Sequence, residues 1–302
     1  MLDILARAGC YIAIIVLGNV LRRKGFFGEE TFRVLSKIVI NLTLPASIIA
    51  SGAGRPMDVS MLLLPVLGFG GGVLYVLASL AVNRRAGGDQ KAFGIVNTAG
   101  YNIGNFAMPF AAGFLGPVGV QATSVFDVGN AFIVFGGSYG VARAAKEGGK
   151  MDILRILKAP FRSVPFLTYL TMLILNLNGW NLPKPVMELS GIIGNANAFL
   201  AMLMIGVGFK LSGDRSQLGR IAKILSVRFG LAAVLAVCFW CFLPFDPVVR
   251  KTLVILAFSP MASVSPVWTS ELKGDVGLSS AITSISIDIS IVIMVALLVV
   301  LP

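Results

Sequence analysis

Apolar residues along this chain occur in long runs that are separated by short polar stretches. A helix needs about 20 mainly apolar residues to cross the hydrocarbon core of a bilayer, and ten runs approach that length. They lie at roughly 4–21, 35–53, 61–82, 92–113, 120–142, 164–178, 187–210, 224–243, 249–270 and 276–301, and the sixth is short. The pattern predicts an all-α integral membrane protein with ten transmembrane helices.

Composition supports the membrane assignment. Of the 302 residues, 56% are hydrophobic and 13% are charged, and the mean hydropathy is +0.87. Soluble domains carry about 25% charged residues. At the start of the chain the charges follow the apolar run instead of preceding it, so we expect a retained first helix and not a cleaved signal peptide.

Basic residues are concentrated in alternate loops. The net charge of +11 could indicate nucleic-acid binding, but no basic helix is interleaved with aromatic residues. If the N-terminus is outside, 20 of the 25 basic residues fall on the inner side. The inner group is Arg22, Arg23, Lys24, Arg33, Lys37, Arg84, Arg85, Lys91, Arg143, Lys146, Lys150, Arg155, Lys158, Arg162, Lys210, Arg215, Arg220, Lys223, Arg228 and Lys273, and the outer group is Arg7, Arg55, Lys184, Arg250 and Lys251. This bias predicts a multi-pass protein with both termini outside.

The long basic loop near the middle of the chain divides it into two halves of five spans. We therefore predict a first repeat at 1–145, a cytoplasmic linker at 146–163 and a second repeat at 164–302. "LSKIVIN" at 35–41 resembles "LSGIIGN" at 189–195, so Asn41 matches Asn195. Asp127 and Asp288 lie in the fifth and tenth spans. Because each half has an odd number of spans, these matches predict an inverted repeat.

Two corresponding spans, the fourth and the ninth, carry residues that interrupt helices. The fourth contains "NTAGYNIGNFAMPF" at 97–110, and the ninth contains "SPMASVSP" at 259–266. Proline removes a helical hydrogen bond, so we expect Pro109 to free the carbonyl of Asn105 and Pro266 to free that of Ala262. Irregular backbone at membrane depth is tolerated where it lines a cavity or is buried in protein, and paired broken helices favour a transport site. The alternative is that these small residues serve helix packing.

The polar residues of these segments and of the kinked second and seventh spans are the candidate substrate ligands. Asn102 and Asn105 share a helix face and can donate to a carboxylate, and half-helix N-termini attract anions. The candidate set is Asn102, Asn105, Pro109, Asn41, Asn195, Ser263, Ser265 and Pro266.

Two aspartates lie well inside spans, and each belongs to a polar stripe at helical spacing. Thr123, Asp127 and Asn130 form one stripe, and Ser280, Ser284 and Asp288 form the other. We expect both stripes to face the protein interior. An ionisable group within a membrane is a candidate for proton or cation coupling. The alternative is that each aspartate caps freed N–H groups and never titrates.

The chain resembles the auxin efflux carrier family, whose bacterial members include malate and malonate permease-like proteins. The resemblance covers the whole chain and rests on "LSKIVINLTLPASII", on "NTAGYNIGNFAMPF", on the ten-span layout, on the basic central loop and on the broken ninth span. It implies the fold of bile-acid sodium symporters and sodium/proton antiporters, in which a scaffold domain and a transport domain move relative to each other. It also implies a substrate site where two broken helices cross, which corresponds here to Asn102, Asn105 and Pro109 and to Pro260 and Pro266.

Together these features predict a secondary transporter of small organic anions in the cell membrane. The alternative functions are a sodium/proton exchanger or ion channel on the same fold, and a membrane receptor is less favoured because no soluble sensor domain is evident. An intramembrane enzyme is disfavoured because the chain has no His and no cluster typical of catalysis. We expect no cofactor and no metal except a sodium ion at the coupling residues. The expected partners are the anion, H⁺ or Na⁺, lipid and a second copy in a homodimer, and no nucleic acid.

Overall fold

The computed structural model describes residues 2–28, 30–52, 59–149, 152–208 and 217–301. Within these ranges the chain forms helices joined by short loops and contains no β-strand. Four of the basic residues counted above, Arg55, Lys150, Lys210 and Arg215, lie outside the described ranges.

The described residues of the first half form eight α-helices, some of which are continued by π-helical or 3₁₀ turns. They are α1 (Leu2–Arg23), α2 (Thr31–Ile38), a π turn (Val39–Thr43), α3 (Leu44–Gly52), a 3₁₀ turn (Val59–Leu62), α4 (Leu63–Val82), α5 (Gly88–Val96), a π turn (Ile103–Ala107), α6 (Met108–Phe114), α7 (Gly116–Phe132), a π turn (Ile133–Gly137) and α8 (Ser138–Glu147).

The remaining helices follow the basic loop. They are α9 (Ile153–Lys158), a 3₁₀ turn (Pro160–Arg162), α10 (Val164–Leu177), α11 (Lys184–Asn195), α12 (Asn197–Gly208), α13 (Leu218–Phe242), α14 (Pro247–Ala257), α15 (Ser265–Glu271) and α16 (Val276–Val300).

Six helical runs in the described ranges are long and apolar enough to cross a membrane. They are Thr31–Gly52, Ser60–Val82, Gly116–Glu147, Lys184–Gly208, Leu218–Phe242 and Val276–Val300. The fourth and ninth predicted spans are each divided by non-helical residues, so neither contains one continuous helix of spanning length. The structure is therefore that of an all-helical integral membrane protein.

Glycines allow the helices to pack backbone against backbone. A Cβ added to Gly129 of α7 would lie 1.8 Å from the carbonyl oxygen of Pro65 in α4, and one added to Gly68 would lie 2.2 Å from that of Phe126. A Cβ added to Gly206 of α12 would be similarly close to the backbone of Ile15 in α1. Without a hydrophobic driving force between helices in lipid, such close approach is a main source of packing energy.

One basic residue assigned above to an inner loop lies inside the protein. Arg228 is in the middle of α13, ten residues after its start at Leu218, and its side chain is completely buried. At 1.5 Å per residue it is about 15 Å along the helix. The assignment of Arg228 to a loop was therefore wrong, because a charge rule that uses position alone cannot tell a loop arginine from one held by buried acceptors.

Candidate functional site

The two helix breaks predicted in the fourth and ninth spans are present. Residues 97–102 separate α5 from the following π turn, and residues 258–264 separate α14 from α15. Pro266 lies in the first turn of α15, where a missing N–H group costs little, and Pro109 lies at the start of α6, directly after the π turn (Ile103–Ala107). The backbone N–H of Ser265 donates to the Ala262 oxygen at 3.0 Å, so Pro266 does not leave that carbonyl free as predicted.

The two breaks contact each other directly. The backbone N–H of Asn102 donates to the Pro260 oxygen at 2.9 Å. The side-chain amides of Asn102 and Asn105 both donate to the hydroxyl oxygen of Ser263, at 2.8 and 3.3 Å. Asn102 is buried, whereas Asn105 and Ser263 are partly exposed. Three of the predicted ligands therefore form one hydrogen-bonded cluster at the crossing point.

Arg228 binds backbone oxygens of both breaks at the same crossing point. Its guanidinium donates to the oxygens of Thr98, Gly100, Ser259 and Pro260 at 2.8, 2.7, 2.8 and 3.2 Å. These carbonyls follow the C-terminal ends of α5 and α14, which carry partial negative charge. The guanidinium also lies over the ring of Tyr75, 4.5 Å from its centroid, and over Tyr101 at 5.2 Å.

Asp127 supports the first break through Asn130. The carboxylate of Asp127 accepts a hydrogen bond from the Asn130 amide at 2.7 Å. The Asn130 side chain accepts from the backbone N–H of Tyr101 at 2.9 Å and donates to the Tyr101 oxygen at 3.0 Å. Thr123, from the same stripe, donates to the Gly119 oxygen instead. The first stripe faces the interior as predicted, and Asp127 acts on the break through Asn130 and not as a direct cap.

The second stripe does not face the interior. Asp288 is exposed and Ser284 is only partly buried, so the prediction that both stripes face the protein interior was wrong for this one. The buried polar face of α16 is instead formed by Ser279, Thr283, Ser286 and Ser290, and the Ser286 hydroxyl oxygen accepts from the backbone N–H of Met261 at 3.2 Å. Several serine stripes run along α16, and helical spacing alone cannot tell which one is buried.

The hydrogen bonds of the crossing cluster do not include Asn41 or Asn195, the predicted ligands of the second and seventh spans. Asn41 and Asn195 are exposed, and Asn41 donates to the Lys37 oxygen of its own helix. The buried contact between these spans joins Thr43 to Asn197 at 2.9 Å. Ser265 is buried at the start of α15.

A cavity of about 1120 Å³ extends from the second break to the segment that follows α8. Its lining includes Val264 next to the crossing cluster, the aromatic residues Tyr139 and Trp268, and Asn41. It also includes the charged residues Arg143, Glu147, Asp152, Lys158, Arg162 and Glu271. The cavity therefore connects a charged region, which includes the central loop, with the break in the ninth span.

Comparison with known proteins identifies the family. A model of the membrane transport protein family, to which the auxin efflux carriers belong, matches residues 11–298. The chain belongs to this family. It is also 26% identical over 286 residues to an uncharacterized transporter of Methanothermobacter thermautotrophicus, and the alignment covers 93% of each chain. The protein is a multi-pass membrane transporter.

Sequence reasoning missed Arg228 as a functional candidate of this transporter. The available signal was that Arg228 stands alone among apolar residues, with its nearest basic neighbour five positions earlier. No group of three or more His, Cys, Asp or Glu side chains suitable for a metal occurs in the described part of the chain.

Proposed function

We propose that this transporter carries small organic anions, such as malate-, malonate- or auxin-like carboxylates, by alternating access. The substrate carboxylate binds at the cluster of Ser263, Asn105 and Asn102, next to Val264 in the lining of the large cavity. The observation that carries this proposal is the hydrogen-bonding state of Ser263.

Ser263 has one hydroxyl proton to donate, and its oxygen already accepts hydrogen bonds from two side-chain amides. Because both amides donate to that oxygen, the hydroxyl proton is directed to another acceptor. Each amide has a second N–H, and Asn105 is partly exposed. A carboxylate is an acceptor-only group, so a substrate carboxylate is complementary to these donors. Buried Asn102 holds Ser263 in place.

The contacts between the halves support an arrangement of ten helices in two inverted repeats. Asn102 and Ser263 are 161 positions apart, the same separation as Asp127 and Asp288. Thr98 and Ser259, whose oxygens both bind Arg228, have this separation too. Equivalent residues of two repeats touch each other when they lie near the pseudo-two-fold axis. The repeats are 1–145 and 164–302, and the scaffold and transport domains move relative to each other.

Contacts at one end of the broken helices support antiparallel crossing. The Lys146 ammonium pairs with Asp89 in the first turn of α5 at 2.7 Å and donates to the Leu272 oxygen after α15 at 2.6 Å. The start of the fourth span and the end of the ninth therefore lie together. With the predicted charge bias, this end is cytoplasmic, both chain termini are outside, and the protein resides in the cell membrane with its cavity open to the inside.

The coupling ion is a proton carried by Asp127, and not sodium at the crossing point. Four carbonyl oxygens that could coordinate a cation are already occupied by Arg228. Asp127 contacts the neutral side chain of Asn130 and lies near the phenol of Tyr169. A carboxylate with neutral partners can take up a proton without breaking an ion pair. This arrangement also suits proton exchange on the same fold, which is the second candidate function.

Flux of radiolabelled dicarboxylates and monocarboxylates into proteoliposomes tests the proposal, with separate pH and sodium gradients. Ser263→Ala removes one donor to a charged group, worth about 1.5–3 kcal/mol, so we expect an apparent affinity about 10- to 150-fold weaker. Asn105→Ala is expected to weaken it similarly. Ser270→Ala, on an exposed position of α15, is the matched control. Unchanged transport by both Ser263→Ala and Asn105→Ala would refute the site.

A further inference from the structure

The segment that links the two halves is packed against the protein and is not an open tether. A Cβ added to Gly136 would lie 3.1 Å from the Cα of Ile156 and 3.1 Å from the Cβ of Ala159. One added to Gly140 would lie 2.6 Å from the Cδ1 of Ile156. Pro160 is buried. These contacts fix α9 and the following 3₁₀ turn against the π turn at 133–137 and the start of α8.

The packed segment presents two different faces away from this contact. Leu154, Lys158 and Arg162, at four-residue spacing, line the large cavity. Ile153, Leu157 and Phe161, one position earlier in each case, are 63%, 51% and 51% exposed and do not line that cavity. We call these three the outer stripe. It is entirely apolar, although the segment lies in the most basic loop of the chain.

The span that follows this segment is too short to cross a bilayer by itself. α10 has 14 residues, which give about 21 Å at 1.5 Å per residue, against a hydrocarbon core of about 30 Å. At its C-terminal end the helix stops at Asn178 and Gly179, which do not continue its apolar run. The apolar surface that is lacking must therefore be supplied at its N-terminal end. Leu167, in the first turn of α10, is 42% exposed and, like the outer stripe, does not line that cavity.

We propose that the outer stripe inserts into the boundary between lipid headgroups and acyl chains, in the leaflet where α10 begins. An interfacial helix buries its apolar face about 5–10 Å into this boundary, which matches the length that α10 lacks. Lys158 and Arg162, one position along from the stripe, line the cavity, and long basic side chains keep their charged ends in water while their stems cover apolar surface. The linker is thus a lipid-bound wall of the cavity. The partner surface is the bilayer and not a soluble protein.

The test uses single-cysteine variants in proteoliposomes that contain only this protein and lipid. Cys10, Cys238 and Cys241 are first replaced by serine or alanine. Leu157→Cys and Phe161→Cys report on the outer stripe, and Lys158→Cys, one position along and in the cavity wall, is the matched control. Each cysteine is labelled with an environment-sensitive fluorophore, and quenching is measured with shallow and deep nitroxide lipids and with aqueous iodide.

We expect the labels at 157 and 161 to be quenched several-fold more by the shallow nitroxide lipid than by iodide, with the reverse order at 158. Efficient iodide quenching at 157 and 161 would overturn the proposal, because the stripe would then face water. Lipid quenching that rises when the protein is diluted in lipid would also overturn it, since the stripe would then be covered by a second copy. Quenching independent of dilution supports it.

Discussion

Replacing Arg228 by methionine tests whether this arginine holds the two broken helices together. Methionine keeps much of the side-chain length but donates no hydrogen bond. The Pro260 oxygen retains the N–H of Asn102 as a donor, whereas the oxygens of Thr98, Gly100 and Ser259 lose the guanidinium. A buried acceptor left without a partner costs about 1–3 kcal/mol. The substitution should therefore destabilise the protein by about 3–9 kcal/mol, a large part of the 5–15 kcal/mol that is typical of folded proteins.

Thermal unfolding of the purified protein in detergent measures this effect. At about 2 °C per kcal/mol for a chain of this size, the expected decrease in Tm is about 6 °C or more. The Tm of Arg228→Lys should lie between those of the wild-type protein and Arg228→Met, because lysine keeps the charge but lacks the planar fork of five donors. Arg220→Met is the control: Arg220 is exposed on the same helix and lies over Phe93, a contact worth about 0.5–1 kcal/mol. A Tm and a transport rate for Arg228→Met equal to those of the control would refute the assigned role.

Two further predictions concern coupling and topology. Asp127→Asn keeps an oxygen that accepts from Asn130, so we expect the variant to fold and bind substrate but to lose stimulation by a pH gradient; retained pH-driven accumulation would make Asp127 a structural residue. In a cysteine-free background, Gly149→Cys should resist an impermeant thiol reagent added outside whole cells, whereas Asn181→Cys should react, and the opposite pattern would invert the proposed orientation.

The sequence predicted the parts of the site that depend on local chemistry. Pro266 lies in the first turn of the half-helix that follows the second break, whereas Pro109 lies beyond the π turn (Ile103–Ala107) that follows the first break. The i, i+3 spacing of Asp127 and Asn130 predicted that these side chains share a helix face, and they are hydrogen-bonded. Each of these inferences needs only a few neighbouring residues, and that is why the pattern was sufficient.

The predictions that were wrong concern contacts between segments that are distant in the sequence. Arg228 binds oxygens 128 and 130 positions earlier in the chain, and backbone oxygens leave no residue-specific signal in a sequence. On α16, the stripe of Ser284 and Asp288 and the stripe of Thr283 and Ser286 have the same helical periodicity. Which stripe is buried depends on the segments that pack against α16, and Met261 of the ninth span contacts Ser286.

The crossing point separates charges of opposite sign, which gives a physical reason for an anionic substrate. The C-terminal ends of α5 and α14 are neutralised by the guanidinium of Arg228. The helical runs that follow the two breaks begin close to Asn105 and Ser263, which are partly exposed and hydrogen-bonded to each other. A second cation next to Arg228 would be repelled, while an anion at Asn105 and Ser263 gains from donors and helix ends alike. The proposed site therefore needs no bound metal cation to accept a carboxylate, because the chain supplies that charge itself.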